Sequence, residues 1–307
     1  MTASITEFNH ALSAIIVTYN SADEIGPCLH SLIPEMVKCD GEIIIVDNAS
    51  TDESLAKIWA EVGEFADIRV IENKLNVGFS LGNNQGFDAA TGEHLLILNP
   101  DTVLQPGAIK KLLETLGSDD SLGAVAPQLL WPDGGIQRSC RRFPNHWDVI
   151  TNATGLNLIF PRSPIFNAWK MGDFDHDSTR EVDQPAAAAL LVRGSVLRAL
   201  NGFDHQFPMF FSDVDLCRRI KNEGFKILFT TDARVVHLGG STIFKNRTTM
   251  IISSHISFFR YLEKYYDRLH QQIFNLIAGL VLYFGLVPRL VWHWLGLAMR
   301  FRRKDSL

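Results

Sequence analysis

Cysteine is scarce and scattered: Cys28, Cys39, Cys140 and Cys217 are the only four in 307 residues, and none forms a CxxC pair. That spacing excludes a zinc ribbon and a disulfide framework and fits a reducing compartment. Excess positive charge is also missing: 29 Lys and Arg against 34 Asp and Glu leave a net charge of −5. Without a global basic field, nucleic acid is not an expected partner. The opening MTASITEFNH lacks the basic start and apolar run of an export signal, so a cytoplasmic location is expected. There is no GxxxxGK[ST] loop and no GxGxxG at the first strand–helix turn, which disfavours a P-loop or nicotinamide site. What is plentiful is apolar sequence, 46% against 21% charged, which excludes an intrinsically disordered chain. The length implies about two domains, or one α/β domain with an extension.

Strand and helix signals alternate along the first 130 residues. Ala14–Tyr19, Glu42–Val46, Ile68–Glu72, His94–Leu98 and Gly123–Leu130 are short apolar runs, several rich in β-branched residues, suited to strands buried on both faces. Helical patterns run over Ala22–Met36, Glu53–Val62 and Pro106–Leu116, and Asn76–Ala90 reads as a loop entering a helix. This alternation predicts a mostly parallel sheet with helices on both faces. Ligands of such sheets bind beyond the carboxyl ends of the strands. Those ends carry Thr18-Tyr19-Asn20, Asp47-Asn48 and Asn99-Pro100-Asp101. Trp131–Asp183 has poor periodicity and reads as a long, partly mobile loop region. Beyond it, Ala186–Val192, Lys226–Thr230 and Ala233–Val236 read as strands, and Ser195–Leu200 and Ser212–Glu223 as helices, with Ser212 as N-cap.

The polar residues at these ends admit chemical and structural readings alike. Asp47 can accept a hydrogen bond from the imide of a uracil or thymine ring, or cap the turn that follows. Asp101 can hold Mg²⁺ or Mn²⁺ against a diphosphate, since hard ions take oxygen ligands, or serve only the turn beside Pro100. His237, before Leu238-Gly239-Gly240, is a candidate metal ligand or an ordinary histidine. Asp213, next to Phe210 and Phe211, can act as a general base with a raised pKa, or simply oppose the helix dipole. Two residues apart on a helix, Asp213 and Asp215 point different ways, so one can enter a cleft while the other pairs with Arg218 or Arg219. The Asn- and Gly-rich segment Asn76–Gly86 can approach phosphate or ribose, or be a plain loop.

The last fifty residues change character. Ile273–Val287 holds one polar residue, Asn275; Pro288-Arg289 interrupts; Leu290–Met299 is apolar; then come Arg300, Arg302, Arg303 and Lys304. Three arrangements fit: a kinked span over 273–299, helices lying in one leaflet with the basic end on anionic headgroups, or a helix packed on the rest of the protein or in a dimer. Trp292 and Trp294 with the basic end favour membrane contact through 273–304.

Seven segments occur in order: AIIVTYN, IIIVDNAST, NVGFSLGNNQG, LLILNPDT, LLVRGSVLRALNGFD, FFSDVDLCRR and VVHLGGS. Together they resemble the family 2 glycosyltransferases, in their rhamnosyltransferase-like branch, from about Ser13 to Ser241. The resemblance implies a GT-A fold over 10–250; beyond it, 251–307 reads as the hydrophobic helical extension whose membrane and packed arrangements are given above. It implies a metal-dependent, inverting transferase using Mg²⁺ or Mn²⁺. Thr18, Tyr19, Asn20 and Asp47 would hold the nucleoside of the donor. Asn76, Gly78, Asn83, Asn84 and Asn99 would line its ribose and diphosphate side. Asp101 and His237 would ligate the metal, although Asn99 stands where the wider family has the first Asp of Asp-x-Asp. Asp213 would be the base, with Ser212 in place of the usual Glu before it. Arg138, Arg141, Arg142 and Asp215 would lie toward the acceptor or diphosphate. The donor implied is a dTDP- or UDP-sugar, dTDP-L-rhamnose first. The acceptor is a glycan or a polyprenyl-diphosphate-linked saccharide at the cytoplasmic face of the inner membrane, in polysaccharide synthesis for the cell envelope. A UDP-hexose transferase and a non-catalytic glycan-binding scaffold are the alternatives. A sugar-1-phosphate nucleotidyltransferase would carry a Gly-rich, basic loop after the first strand, where this chain has TYNSADEIG.

Overall fold

The computed structural model describes residues 8–63, 65–239 and 247–304. They fall into two units, one of 1–141 with 175–242 and one of 142–174 with 243–307. The C-terminal part of the second unit starts close to the division read at residue 250, but the unit also takes in 142–174.

The first unit is built on nine strands in one sheet. These are β1 (His10–Thr18), β2 (Gly41–Asp47), β3 (Ile68–Glu72), β4 (Gly92–Leu98), β5 (Thr102–Leu104), β6 (Leu122–Leu130), β8 (Arg180–Glu181), β10 (Ala189–Arg193) and β11 (Lys226–His237). A small second sheet pairs β7 (Cys140–Arg141) with β9 (Gln184–Pro185). The main order is β3-β2-β1-β4-β10-β6-β11-β5, with β8 on β11. β1, β2, β3 and β4 run parallel, as do β6 and β11. β2 and β6 are buried along their whole length, as apolar runs covered on both faces must be. Helices α1 (Ile25–Lys38), α2 (Ser54–Val62), α3 (Phe79–Ala89), α4 (Ala108–Gly117), α7 (Gly194–Ala199) and α8 (Ser212–Asn222) complete the unit.

Three features of the sheet were not legible in the local pattern. β10 runs antiparallel between β4 and β6. The two runs read at Lys226–Thr230 and Ala233–Val236 are one strand, β11, with a register shift between Thr230 and Arg234. β5 pairs antiparallel with its end, His237 opposite Thr102. The consequence is that β1, β2, β4, β6 and β11 end at the same edge, where β10 begins.

The glycines of α3 serve packing. A Cβ on Gly86 would lie 2.5 Å from Ile15 Cγ2, and one on Gly82 2.9 Å from Val17 Cγ1. Their absence lets α3 sit directly on β1. Gly86→Ala is therefore expected to destabilise by about 1–3 kcal/mol through overpacking, although alanine is the better helix former. Urea denaturation measures this, and an unchanged midpoint would mean that the helix yields freely.

In the second unit, α5 (His146–Ala153) opens with a reciprocal capping box of Asn145 and Asp148. α6 (Leu156–Ile159), α9 (Arg247–Tyr265) and α10 (Leu269–Lys304) follow. The long mobile loop expected over Trp131–Asp183 is thus corrected: its polar spacing hid a capped helix and a run of turns. Pro288-Arg289 interrupts the apolar run but not the helix, since α10 is one helix of 36 residues through that point. Gly240 and Ser241, and the side chains of Trp292, Trp294 and the basic residues from 300 to 304, lie outside the described residues.

Candidate functional site

The β5–β11 pairing decides what faces Asp101. The backbone N–H of Leu238 donates to the Asp101 carbonyl at 3.0 Å, and that of Gly239 to Asp101 Oδ2 at 3.2 Å. His237 Nε2 stands 3.4 Å from Asp101 Oδ1, and His237 Nδ1 is 2.7 Å from Gln137 Oε1. With the glutamine oxygen as acceptor and the ring in its neutral form, Nδ1 carries the proton and Nε2 turns a lone pair toward the carboxylate. Two acceptors opposed at that distance need a proton or a cation between them. A carboxylate oxygen and an imidazole nitrogen suit a divalent ion, with Gln137 fixing the tautomer from behind. Among the described residues no group of three or more His, Cys, Asp or Glu forms a metal site. Asp101 and His237 are thus two candidate ligands, and a diphosphate and water would have to supply the others, as is usual for Mg²⁺.

Asp213 lies in the first turn of α8, after Phe211 at the N-cap with φ +66°. Ser212 is not the cap; its hydroxyl donates to the Met209 carbonyl at 2.7 Å. Gln184 Nε2 donates to Asp213 Oδ2 at 2.9 Å, and the Val214 N–H to Oδ1 at 2.9 Å. Burial pushes the Asp213 carboxyl above the ordinary carboxylate value; the N–H groups of Val214 and Ala187 and the charge of Arg141 oppose that rise. A raised pKa suits a base that must also release its proton near neutrality.

One backbone link joins the two acids. The N–H of Asn99, two residues before Asp101, donates to the Ala188 carbonyl at 2.8 Å. Ala187, the preceding residue, hydrogen-bonds Asp213. The antiparallel entry of β10 therefore brings the Gln184–Ala188 segment, and Asp213 with it, to the edge where the turn carrying Asp101 follows β4.

The ends of β1 and β2 carry buried polar atoms without partners: Thr18 Oγ1 and Asp47 Oδ1. Asp47 Oδ2 accepts from the Ser50 N–H at 2.9 Å. One oxygen of Asp47 thus caps the turn, and the other is buried without a hydrogen-bond partner. Asn20, at φ +52°, receives the Thr51 N–H on Oδ1 at 2.8 Å and joins this loop to the β2 end. Tyr19 is half-buried beside it. In α3, Asn83 leaves Oδ1 buried and unpartnered while its amide donates to the Phe79 carbonyl at 2.9 Å.

Several expected donor-binding residues are otherwise engaged. Asn84 bonds Phe203 twice, receiving its N–H and donating to its carbonyl, each at 2.8 Å. That corrects its assignment to the donor: the side chain clamps the loop after α7. Asn76 Oδ1 takes the Gly78 N–H at 2.9 Å. Gly78, at φ +88°, packs on Pro208, whose carbonyl accepts from Phe79 and Ser80. The start of α3 is thus spent on the loop before α8, not left open for phosphate. Asn99 contributes its backbone to the link above. Asp215 is wholly buried, with Arg219 Nε 2.8 Å away, and Arg219 also grips the Leu200 and Gly202 carbonyls. This corrects Asp215 from the acceptor side to an internal ion pair, the partner role weighed for it with Arg219.

The arginines divide. Arg141 donates to the Arg138 and Cys140 carbonyls at 2.8 and 2.7 Å and interacts electrostatically with Asp213. Arg138 is exposed. Arg142 belongs to the second unit and is paired with Asp173 at 2.9 Å. Gln137 and Gln184 were missed in the sequence. Gln137 lay inside the segment that drew attention to Arg138, and Gln184 carried no signal. Burial pushes the Cys28 and Cys140 thiols up to about 12, so neither is a nucleophile.

Known proteins fit this architecture. N-acetylglucosaminyl-diphospho-decaprenol L-rhamnosyltransferase of Mycobacterium tuberculosis is 26% identical over 263 residues, covering 82% of this chain and 83% of that protein. A mannosyltransferase from Pyrobaculum calidifontis, solved with GDP-Man and Mn²⁺, superposes with a TM-score of 0.58 at 17% identity, over 96% of this chain and 81% of that one. TarS 1-349 of S. aureus gives 0.54 at 16% identity, over 91% and 82%. These likenesses show a GT-A fold. Residues 13–168 match the family model for glycosyl transferase family 2. The mostly parallel sheet, the acids gathered at its carboxyl edge and that match lead to one conclusion: the chain is a glycosyltransferase and belongs to glycosyl transferase family 2.

Proposed function

We propose that the chain transfers a hexose, L-rhamnose first, from a dTDP- or UDP-sugar to a polyprenyl-diphosphate-linked glycan, with inversion at the anomeric carbon. Asp213 takes the acceptor hydroxyl proton as that oxygen attacks from the face opposite the nucleoside diphosphate. A single displacement needs no enzyme nucleophile, which agrees with the absence of an activated thiol. Asp101 and His237 would hold a divalent cation, which neutralises charge on the departing diphosphate when bound. Asp47 and Thr18 would receive the base and ribose. The observation that carries this reading is the link Asn99–Ala188 beside Ala187–Asp213, which ties a candidate base to a candidate metal ligand.

Support for the sugar and acceptor comes from the mycobacterial relative, whose name specifies rhamnose and a decaprenyl diphosphate acceptor. The apolar 273–304 segment supports membrane contact at the cytoplasmic face of the inner membrane. The test is a hydrolysis screen of purified protein against dTDP-, UDP- and GDP-sugars, with and without Mg²⁺ or Mn²⁺. Metal-stimulated turnover of dTDP-L-rhamnose is expected. Turnover of a UDP-hexose alone would replace the donor, and binding without any turnover would favour the scaffold.

The base also predicts a pH profile. A catalytic base works deprotonated, so transfer should fall as pH drops through its raised pKa. Gln184 donates to the charged form and so holds that pKa down. Gln184→Leu is expected to shift the acid limb of kcat to higher pH; a limb that stays in place would remove Asp213 from its control.

A further inference from the structure

The second unit carries an apolar surface on its own helices. Along α10, Ile273, Ile277, Leu280, Phe284, Val287 and Val291 recur at spacings of three and four, and all are exposed. That is one face of a helix. The opposite face is occupied. Asn275 is buried, with its Oδ1 2.7 Å from His146 Nε2 and its amide donating to the Tyr266 carbonyl at 2.8 Å. Gly279 lies against Phe259 of α9, where a Cβ would come within 2.7 Å of the ring.

A second exposed set adjoins this one. Leu158, Ile159 and Ile165 are 75%, 65% and 61% exposed, and Trp147 and Phe160 are exposed as well. The two sets are linked through His146: Phe274 of α10 lies 5.8 Å from its ring, and Trp147, the next residue, lies 6.2 Å from Phe166 and donates from Nε1 to the Ile165 carbonyl at 3.1 Å, with Phe160 5.2 Å from Phe166.

We propose that this unit docks on the surface of an anionic bilayer through both sets together, with α10 lying in the plane of one leaflet rather than crossing it. The inference rests on the membrane reading above and adds the orientation and the second contact. Two observations carry it. First, Leu269–Val287 is long and apolar enough to span, at mean hydropathy 1.3, but α9 is packed along it. Insertion would drag the exposed Arg260 and Glu263 of α9 into hydrocarbon. An in-plane helix needs only the one apolar face that is free. Second, the two segments that carry this surface lack acidic residues in the sequence. No Asp or Glu stands between Asp148 and Asp173 or between Asp267 and Asp305, while eight Lys and Arg do, in a chain of net charge −5. Two copies of such a face would repel each other, whereas anionic headgroups attract it.

The test uses the full chain with vesicles of phosphatidylcholine alone or mixed with phosphatidylglycerol. Flotation is expected with the anionic vesicles and to weaken with salt. Leu158→Glu with Ile159→Glu, and separately Ile277→Glu with Phe284→Glu, should each lower the bound fraction by about tenfold with unchanged thermal melting. In a Cys39→Ser background, Ser306→Cys should react with an impermeant maleimide added outside; protection in the lumen would overturn the in-plane arrangement. Binding lost only in the α10 variant would overturn the second contact and leave the membrane reading standing. No binding by the parent chain would sink both, and concentration-dependent dimerisation in its place would assign the face to a second copy.

Discussion

Asp213→Asn is expected to lower transfer by about 10²–10⁴-fold, the range of a lost general base, with the affinity for nucleotide sugar nearly unchanged. The substitution is mild in structure. Asn keeps the volume and one acceptor for the Val214 N–H, and the Gln184 amide can rotate to meet the new NH₂ group. What disappears is the carboxylate, already desolvated and so able to take a proton. Measuring kcat beside donor binding by nucleotide displacement separates the roles. Loss of donor binding in step with turnover would show that Asp213 holds the substrate pocket together.

The second large effect is placed at Asp101. Asp101→Asn should lower kcat by about 10²–10³-fold, the cost of removing one stabilising group from a site where charge develops. The half-saturating metal concentration should rise as well. Asn retains an oxygen for the Gly239 N–H, so the loop after β11 should persist. The charge that makes the gap to His237 Nε2 hospitable to a cation would be gone. A chelator should bring the parent enzyme down to the level of this variant and leave the variant little changed. Retained metal stimulation in Asp101→Asn would move the ligand elsewhere. Gln137→Leu should act in the same direction but more weakly, about 10–100-fold in metal affinity, because Gln137 orients a ligand without being one.

The helix–strand succession was legible because period and capping are local. Ile68–Glu72 emerged with the bounds read from its residues, and Asp47 and Asp101 stood where parallel strands end. Other roles could not be read in this way. Asn84 looks like a donor ligand in an Asn- and Gly-rich loop, and only the turn at Phe203 shows where its amide goes. The glycines after Asn76 look like room for a phosphate, while two of them make room for Ile15 and Val17. Asp215 and Asp213 carry the same side chain two residues apart. Helical geometry requires them to diverge, but which one meets Arg219 depends on the chain beyond the helix.

The residues alone determined the α/β class, the two acids worth testing and the apolar stretch near the end, because hydrophobic period, turn chemistry and ordered motifs are written in neighbouring positions. Only the tertiary structure decided that β10 runs backwards, that β11 delivers His237 to Asp101, and that Gln137 and Gln184 stand behind them. Strand pairing joins segments far apart in the sequence, and its direction depends on how the whole sheet buries its faces. No local pattern in the sequence carries that information.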